Sequence, residues 1–145
     1  MKTKAENDIF YTATVLEQTA RTTGNTRAHI AEKVGIEGMR NIYRMADVNH
    51  CLPLNQVAEE IISTHNIQQG NFHPEKHIVQ VPKATAIGKV YARLVKDTQA
   101  DASKYPESLF DIMKSKVSEW MTDYRSAYYY STRDYILQSY QNLKK

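Results

Sequence analysis

A chain of 145 residues can bury a core without disulfide or metal staples and fits one domain. Its hydrophobic share of 41% and charged share of 24% are those of an ordinary globule, which excludes disordered and fibrous classes. The net charge of +3 interleaves 19 Lys and Arg with 16 Asp and Glu, so it permits a nucleic-acid partner without demanding one.

The lone cysteine, Cys51, excludes an internal disulfide framework and suits a reducing compartment. Met1-Lys2-Thr3-Lys4 leads into Glu6, Asn7 and Asp8 instead of an apolar run, so no signal peptide is expected. Apolar stretches fall far short of the ~20 residues a membrane span needs. A soluble, cytoplasmic protein is expected, with no membrane partner.

The first predicted helix runs from about Asn7 to Thr22, with Ile9, Ala13, Leu16 and Ala20 on one face. Gly24-Asn25 is a stop and turn signal, and Thr26 is placed to cap a short second helix bearing Ile30, Ala31 and Val34, which Gly35 ends. A third helix starts near Glu37, carries Met39, Ile42, Tyr43 and Ala46, and fades towards Asn49. Pro53 sits in the first turn of a fourth, whose face is Leu54, Val57, Ala58, Ile61 and Ile62.

Residues 68–83 are the least regular part. Pro74 and Pro82 bracket Ile78-Val79-Gln80-Val81, which alone reads as a strand, and a single short strand makes no sheet. An extended connector is expected there. A fifth helix from Ala84 to Thr98 presents Ile87, Val90, Tyr91, Leu94 and Val95. Gly88 inside it costs ~1 kcal/mol against alanine, which a closely packed neighbouring helix would offset.

The stretch from Tyr105 to Tyr140 reads as the spine. Leu109, Ile112, Met113, Val117, Trp120, Met121 and Tyr124 form a helical stripe with almost no breaks that includes the only tryptophan. Ser131-Thr132-Arg133-Asp134 has capping-box spacing and opens a last helix with Tyr135, Ile136, Tyr140 and Leu143. The predicted fold is an all-α compact bundle of six to seven helices in one domain, 1–145. Residues 7–66 and 84–145 are its natural subdivisions.

Within the N-terminal part, Arg27-Ala28-His29-Ile30-Ala31-Glu32-Lys33-Val34-Gly35-Ile36 resembles the first half of a helix-turn-helix unit. In that family a small residue lies four before a turn glycine, and Ala31 and Gly35 match. The second half departs from the pattern, since the expected apolar positions fall on Asn41 and Arg44. A turn one residue longer, at Glu37-Gly38, restores the register. The resemblance then implies a DNA-facing helix near residues 37–48, with Arg40, Asn41 and Arg44 suited to base and phosphate contacts and Arg27 and Lys33 as flanking candidates. Glu37 would face phosphates with the wrong charge. Gly35-Ile36-Glu37-Gly38 also has the GxxG spacing of a KH-domain RNA clamp, but lacks its cations and its sheet.

His50, Cys51, His65, His73 and His77 crowd the middle of the chain. His73 and His77 have zinc-like spacing, yet Pro74 follows His73 and only one thiol is available, so surface histidines are the expectation and no metal or cofactor is assigned. The glycines form neither GxGxxG nor a Walker A loop, and no serine lies in GxSxG. Glu59-Glu60 and Glu119-Asp123 read as solvated faces.

Six of the ten tyrosines lie between Tyr124 and Tyr140. A tyrosine with its pKa near ~10 is a poor base at neutral pH, whereas tyrosines beyond what a core absorbs are good interface anchors. The expected function is non-catalytic: an adaptor, regulator or accessory subunit binding a protein partner or itself through Tyr128, Tyr129, Tyr130, Tyr135 and Tyr140. The alternative is the helix-turn-helix DNA-binding regulator.

Overall fold

The computed structural model describes residues 2–145. Among the described residues eight helices follow one another: α1 (Lys4–Thr23), α2 (Arg27–Arg44), α3 (Ala46–Asn49), α4 (Leu54–Thr64), α5 (Ala84–Thr98), α6 (Tyr105–Lys114), α7 (Lys116–Thr122) and α8 (Arg133–Leu143). Short 3-10 turns cover Ala102–Lys104 and Tyr128–Tyr130, and no strand occurs among the described residues. The all-α expectation therefore holds. Among the same residues no helix is long and apolar enough to cross a membrane.

The spine is not where the apolar stripe placed it. Helix α1 occupies the centre, with Ile9, Val15, Leu16 and Ala20 fully buried, and it packs on α5, α2 and α4. Trp120 is only partly buried, at the edge of the core. Sequence periodicity undervalues α1 because four of its buried residues, Thr12, Thr14, Thr19 and Thr23, are nominally polar. Three of them donate back to the helix: Thr12 to Asp8 O, Thr19 to Val15 O and Thr23 to Thr19 O, each at 2.8 Å. With the hydroxyl satisfied locally, the methyl faces the neighbouring helix and the segment can be enclosed on all sides. Its start is also earlier than periodicity indicates: Thr3 and Glu6 form a reciprocal capping box around the first turn.

As expected, Gly35 ends the first of two helical stretches: at φ 72° and ψ 169° it lies outside the helical region, and α2 is two helices meeting at this kink. That left-handed φ favours glycine, so a single residue makes the kink. Glu37-Gly38, the turn that the helix-turn-helix register requires, is instead helical. The long sixth helix is likewise two. Ser115, extended at ψ 173°, ends α6, and its Oγ accepts the Val117 N–H at 3.1 Å to open α7. The apolar spacing survives that one-residue break, so periodicity alone does not register it. Thr132, not Ser131, caps α8 by accepting the Tyr135 N–H at 3.2 Å.

The irregular segment forms no helix or strand, with a turn at 74–77 and bends at 79–80 where an extended stretch was expected, and it is held at one end. Gly70 N–H donates to Thr23 O and Phe72 N–H to Gly24 O, both at 2.8 Å, while the Asn25 amide donates to Gln68 O at 2.9 Å. These bonds staple the segment to the corner between α1 and α2. Val79, read as part of a strand, is fully exposed.

Gly88 lies where α5 crosses α1. A Cβ there would stand 2.1 Å from Thr14 Oγ1 and 3.0 Å from the Thr14 backbone. Because backbone is involved, rotating Thr14 cannot relieve the overlap. Gly88→Ala should lower the unfolding free energy by about 1–3 kcal/mol, the overpacking cost exceeding the helix-propensity gain. Chemical denaturation checks this, and a stability equal to or above that of the parent would mean that the two helices can move apart freely.

Candidate binding surfaces

The most buried chemistry in the protein is an ion pair. Glu17, on α1, is 1% exposed and Arg27, the first residue of α2, is 2% exposed. Arg27 Nε donates to Glu17 Oε1 at 2.9 Å and Nη2 to Oε2 at 2.7 Å, while Arg21 Nε donates to Oε2 at 2.7 Å. Arg27 Nη1 also donates to Asn25 O at 3.3 Å, which closes the α1–α2 turn onto the pair. A guanidinium at a helix N-terminus opposes the helix dipole, and the carboxylate is what makes its place tenable. Burial pushes the Glu17 carboxyl up, but the two guanidiniums outweigh it and the net pKa falls below the ordinary carboxylate value. Burial likewise opposes the charge on Arg27, and Glu17 more than restores it. The Tyr91 and Tyr124 hydroxyls flank this centre, buried and with no hydrogen-bond partner among the described residues.

Above the pair lies a cleft of about 640 Å³ between the start of α2, the 72–78 segment and the end of α7. Arg27 and Tyr124 line its inner side, and Phe72, Pro74 and Ile78 give it an apolar wall. Lys76 and Arg125 are set against Glu119 and Asp123 around it, so neither sign of ligand is favoured.

The second feature is aromatic. Two files of rings leave α7 and end in solvent. In one, Trp120 packs against Tyr128 with the rings tilted and their centroids 5.4 Å apart, and Tyr128 meets Tyr135 edge-on at 6.2 Å. In the other, Tyr124 meets Tyr129 edge-on at 6.3 Å, and Tyr129 lies 4.7 Å from Tyr130. Exposure rises towards the tips: Tyr124 and Tyr128 are buried, Tyr135 is 58% exposed and Tyr130 is 80% exposed. The sharp reversal that allows this is made at Ala127, held in the left-handed region at φ 56°. Tyr128 is fixed further by a hydrogen bond between its hydroxyl and that of Ser139.

Of the five tyrosines expected at an interface, the structure thus brings Tyr128, Tyr129, Tyr130 and Tyr135 together, with only the last two well exposed. Tyr140 faces inward and is buried beside Ile136. Lone sequence periodicity could not sort these rings, because Tyr128–Tyr130 lie in a 3-10 turn instead of a helix.

The DNA candidates scatter. Arg27, expected as a flanking cation, is enclosed in the Glu17 pair and is not presented at the surface. Arg40 is exposed but committed to α6, donating to Glu107 Oε2 through Nη2 at 2.7 Å, and to Glu37. Arg44 donates to Asn41 Oδ1 at 2.9 Å, and Lys33 is exposed on the other side of the Gly35 kink. Sequence reasoning passed over Glu17, whose only signal was a carboxylate within an otherwise apolar and threonine-rich face. The histidines are spread too: His73 pairs with Glu75, His65 rests against Gly38, and His50 neighbours Cys51.

No known protein family, curated protein or solved structure matches this chain.

Arg27→Met strands the Glu17 carboxylate with a single, partly exposed guanidinium and should cost about 3–5 kcal/mol of unfolding free energy. The Glu17→Leu/Arg27→Met double variant should recover most of that loss. Since the folded pKa of Glu17 is depressed, its contribution is complete above the ordinary value of 4.5 and drains away as pH falls through the depressed one. Stability measured from pH 7 down to pH 3 should therefore fall more steeply in the parent than in the double variant. Equal slopes would remove the pair from any role in acid unfolding.

Proposed function

We propose that this chain is a non-catalytic binding protein, an adaptor, regulator or accessory subunit, that takes a protein partner or a second copy of itself on the tyrosine-rich surface between α7 and α8. The observation that carries this reading is the pair of aromatic files. A flexible exposed tyrosine loses rotamer freedom when it binds, whereas Tyr130 and Tyr135 each rest on a ring that is itself packed. Rigid aromatic anchors of this kind contribute area at low entropic cost, which is why Tyr and Trp are enriched at the centres of interfaces. The exposed, free thiol of Cys51 is in keeping with a cytoplasmic setting for such a protein. The DNA-binding alternative has less support, because Arg27 and Arg40 are both engaged by carboxylates within the fold.

Truncating the tips should separate binding from folding. The Tyr130→Ser/Tyr135→Ser variant is expected to keep the melting temperature within a few degrees of the parent, since exposed side chains contribute little to the core. It should lose co-purification of its partner, or concentration-dependent self-association measured by analytical ultracentrifugation, by at least about tenfold, as for hot-spot residues. Association that survives both substitutions places the interface elsewhere.

A further inference from the structure

Between the first aromatic file and the polypeptide that links α7 to α8 is a groove of about 290 Å³. Trp120, Tyr128 and Tyr135 supply its rings, Asp123 supplies its only charge, and serine hydroxyls complete the wall. We propose that this groove is a cation site that accepts a lysine or arginine side chain of the protein partner. The inference rests on the reading of the tyrosine surface as an interface and names the chemistry that surface selects.

The lining decides the sign of the occupant. The face of an aromatic ring is the negative end of its quadrupole, and a cation held within about 6 Å of such a face is attracted to it. Three rings set at angles of 53° and 61° to one another, with centroids 5.4 and 6.2 Å apart, offer ring faces and edges from several directions. The Asp123 carboxylate adds a formal negative charge, and no Lys, Arg or His lines the groove. An anion would be repelled by the Asp123 carboxylate and by the ring faces. A purely apolar side chain would bury the Asp123 carboxylate with nothing to pair it.

Three of the nearby cations are held by other groups. Arg133 is bidentate to Asp97, with Nε and Nη2 at 2.7 and 2.8 Å. Lys144 lies over the Tyr140 ring at 4.8 Å and Arg21 is bound to Glu17, while Arg125 lines the larger cleft, which Asp123 borders as well. The groove is thus a negative, aromatic feature on a chain of net charge +3, complementary to a basic side chain on something else.

The single tryptophan makes the test direct, because its indole N–H gives one resonance that belongs to this groove. The probes are the capped tripeptides acetyl-Ala-Lys-Ala-amide and acetyl-Ala-Arg-Ala-amide, titrated at millimolar concentration and low salt into ¹⁵N-labelled full-length protein. Their neutral counterpart with norleucine is the control, and tetramethylammonium is a second probe. Both basic peptides should shift the Trp120 indole peak saturably, and the norleucine peptide should not. Asp123→Asn and Tyr135→Ala should each weaken that response about threefold or more, while Tyr135→Phe, which keeps the ring face, should preserve it. Both changed residues are exposed, so the spectrum of the remaining protein reports whether folding is intact.

An equal response to norleucine would overturn the cation site and leave the protein-binding reading standing. Basic peptides that bind with no dependence on Asp123 or Tyr135, or that leave the indole unmoved, would also overturn it. Tetramethylammonium binding without binding of the basic peptides would point to a small quaternary amine and overturn the assignment to a partner side chain. Conversely, should association with a partner or a second copy prove insensitive to Tyr130→Ser/Tyr135→Ser, the protein-binding reading would fail while the titration of the parent protein still reads the groove, since it needs no partner.

Discussion

The corner between α1 and α2 is set by one buried carboxylate. Glu17 accepts from Arg27 through two hydrogen bonds and from Arg21 through a third, ten and four residues away along the chain. Removing two charges from water is expensive, and a pair of this kind adds little net stability over a well-packed apolar substitute. What it does is penalise alternatives. Any rotation of α2 about the Gly24-Asn25 turn would leave a guanidinium or a carboxylate buried and unpaired, at a cost of several kcal/mol. The fixed corner then receives the irregular segment, whose Gly70 and Phe72 amides bond to the carbonyls of Thr23 and Gly24. One ion pair thereby positions α2, the 68–72 segment and the inner side of the cleft between them.

Helix α1 can serve as the hub because three of its buried threonines close their hydrogen bonds on the helix itself. Threonines at positions 12, 19 and 23 bond to carbonyls one turn back and turn their methyl groups outward, so the helix presents small, dry surface to α5, α2 and α4. Small residues permit close approach, and Gly88 on α5 takes that to its limit against Thr14. The remainder of the core is assembled on this centre: Ile87, Tyr91 and Leu94 from α5, Ile30 and Met39 from α2, Leu109, Ile112 and Met113 from α6.

The aromatic surface is a by-product of how the chain leaves that core. After α7 the backbone reverses through Ala127 and a 3-10 turn, which points consecutive tyrosines in different directions. Tyr128 is buried against Trp120, Tyr129 leans on Tyr124, and Tyr130 is left in solvent. A continuous helix would have spread these rings around its circumference at about 100° per residue. The compact turn instead gathers them beside Tyr135 of α8 and concentrates ring area on one face.

The helical class was legible because apolar residues at helical spacing, the Gly24 stop and the Thr26 cap are local signals, each settled by backbone sterics or a hydrogen bond within a few residues. The tight glycine in α5 was legible for the same reason, since its propensity cost demanded a compensating contact. The identity of the central helix was not, because a threonine reads as polar until its hydroxyl is seen to bond one turn back. Nor was the fate of Arg27: one cation among nineteen becomes one of the largest fully buried side chains only when α1 brings Glu17 against it. The sequence by itself determined which segments are helices and that tyrosine is concentrated near the end. Tertiary structure alone decided which helix is enclosed, which charges are spent inside, and which two tyrosines remain free, because burial and pairing depend on contacts between residues far apart along the chain.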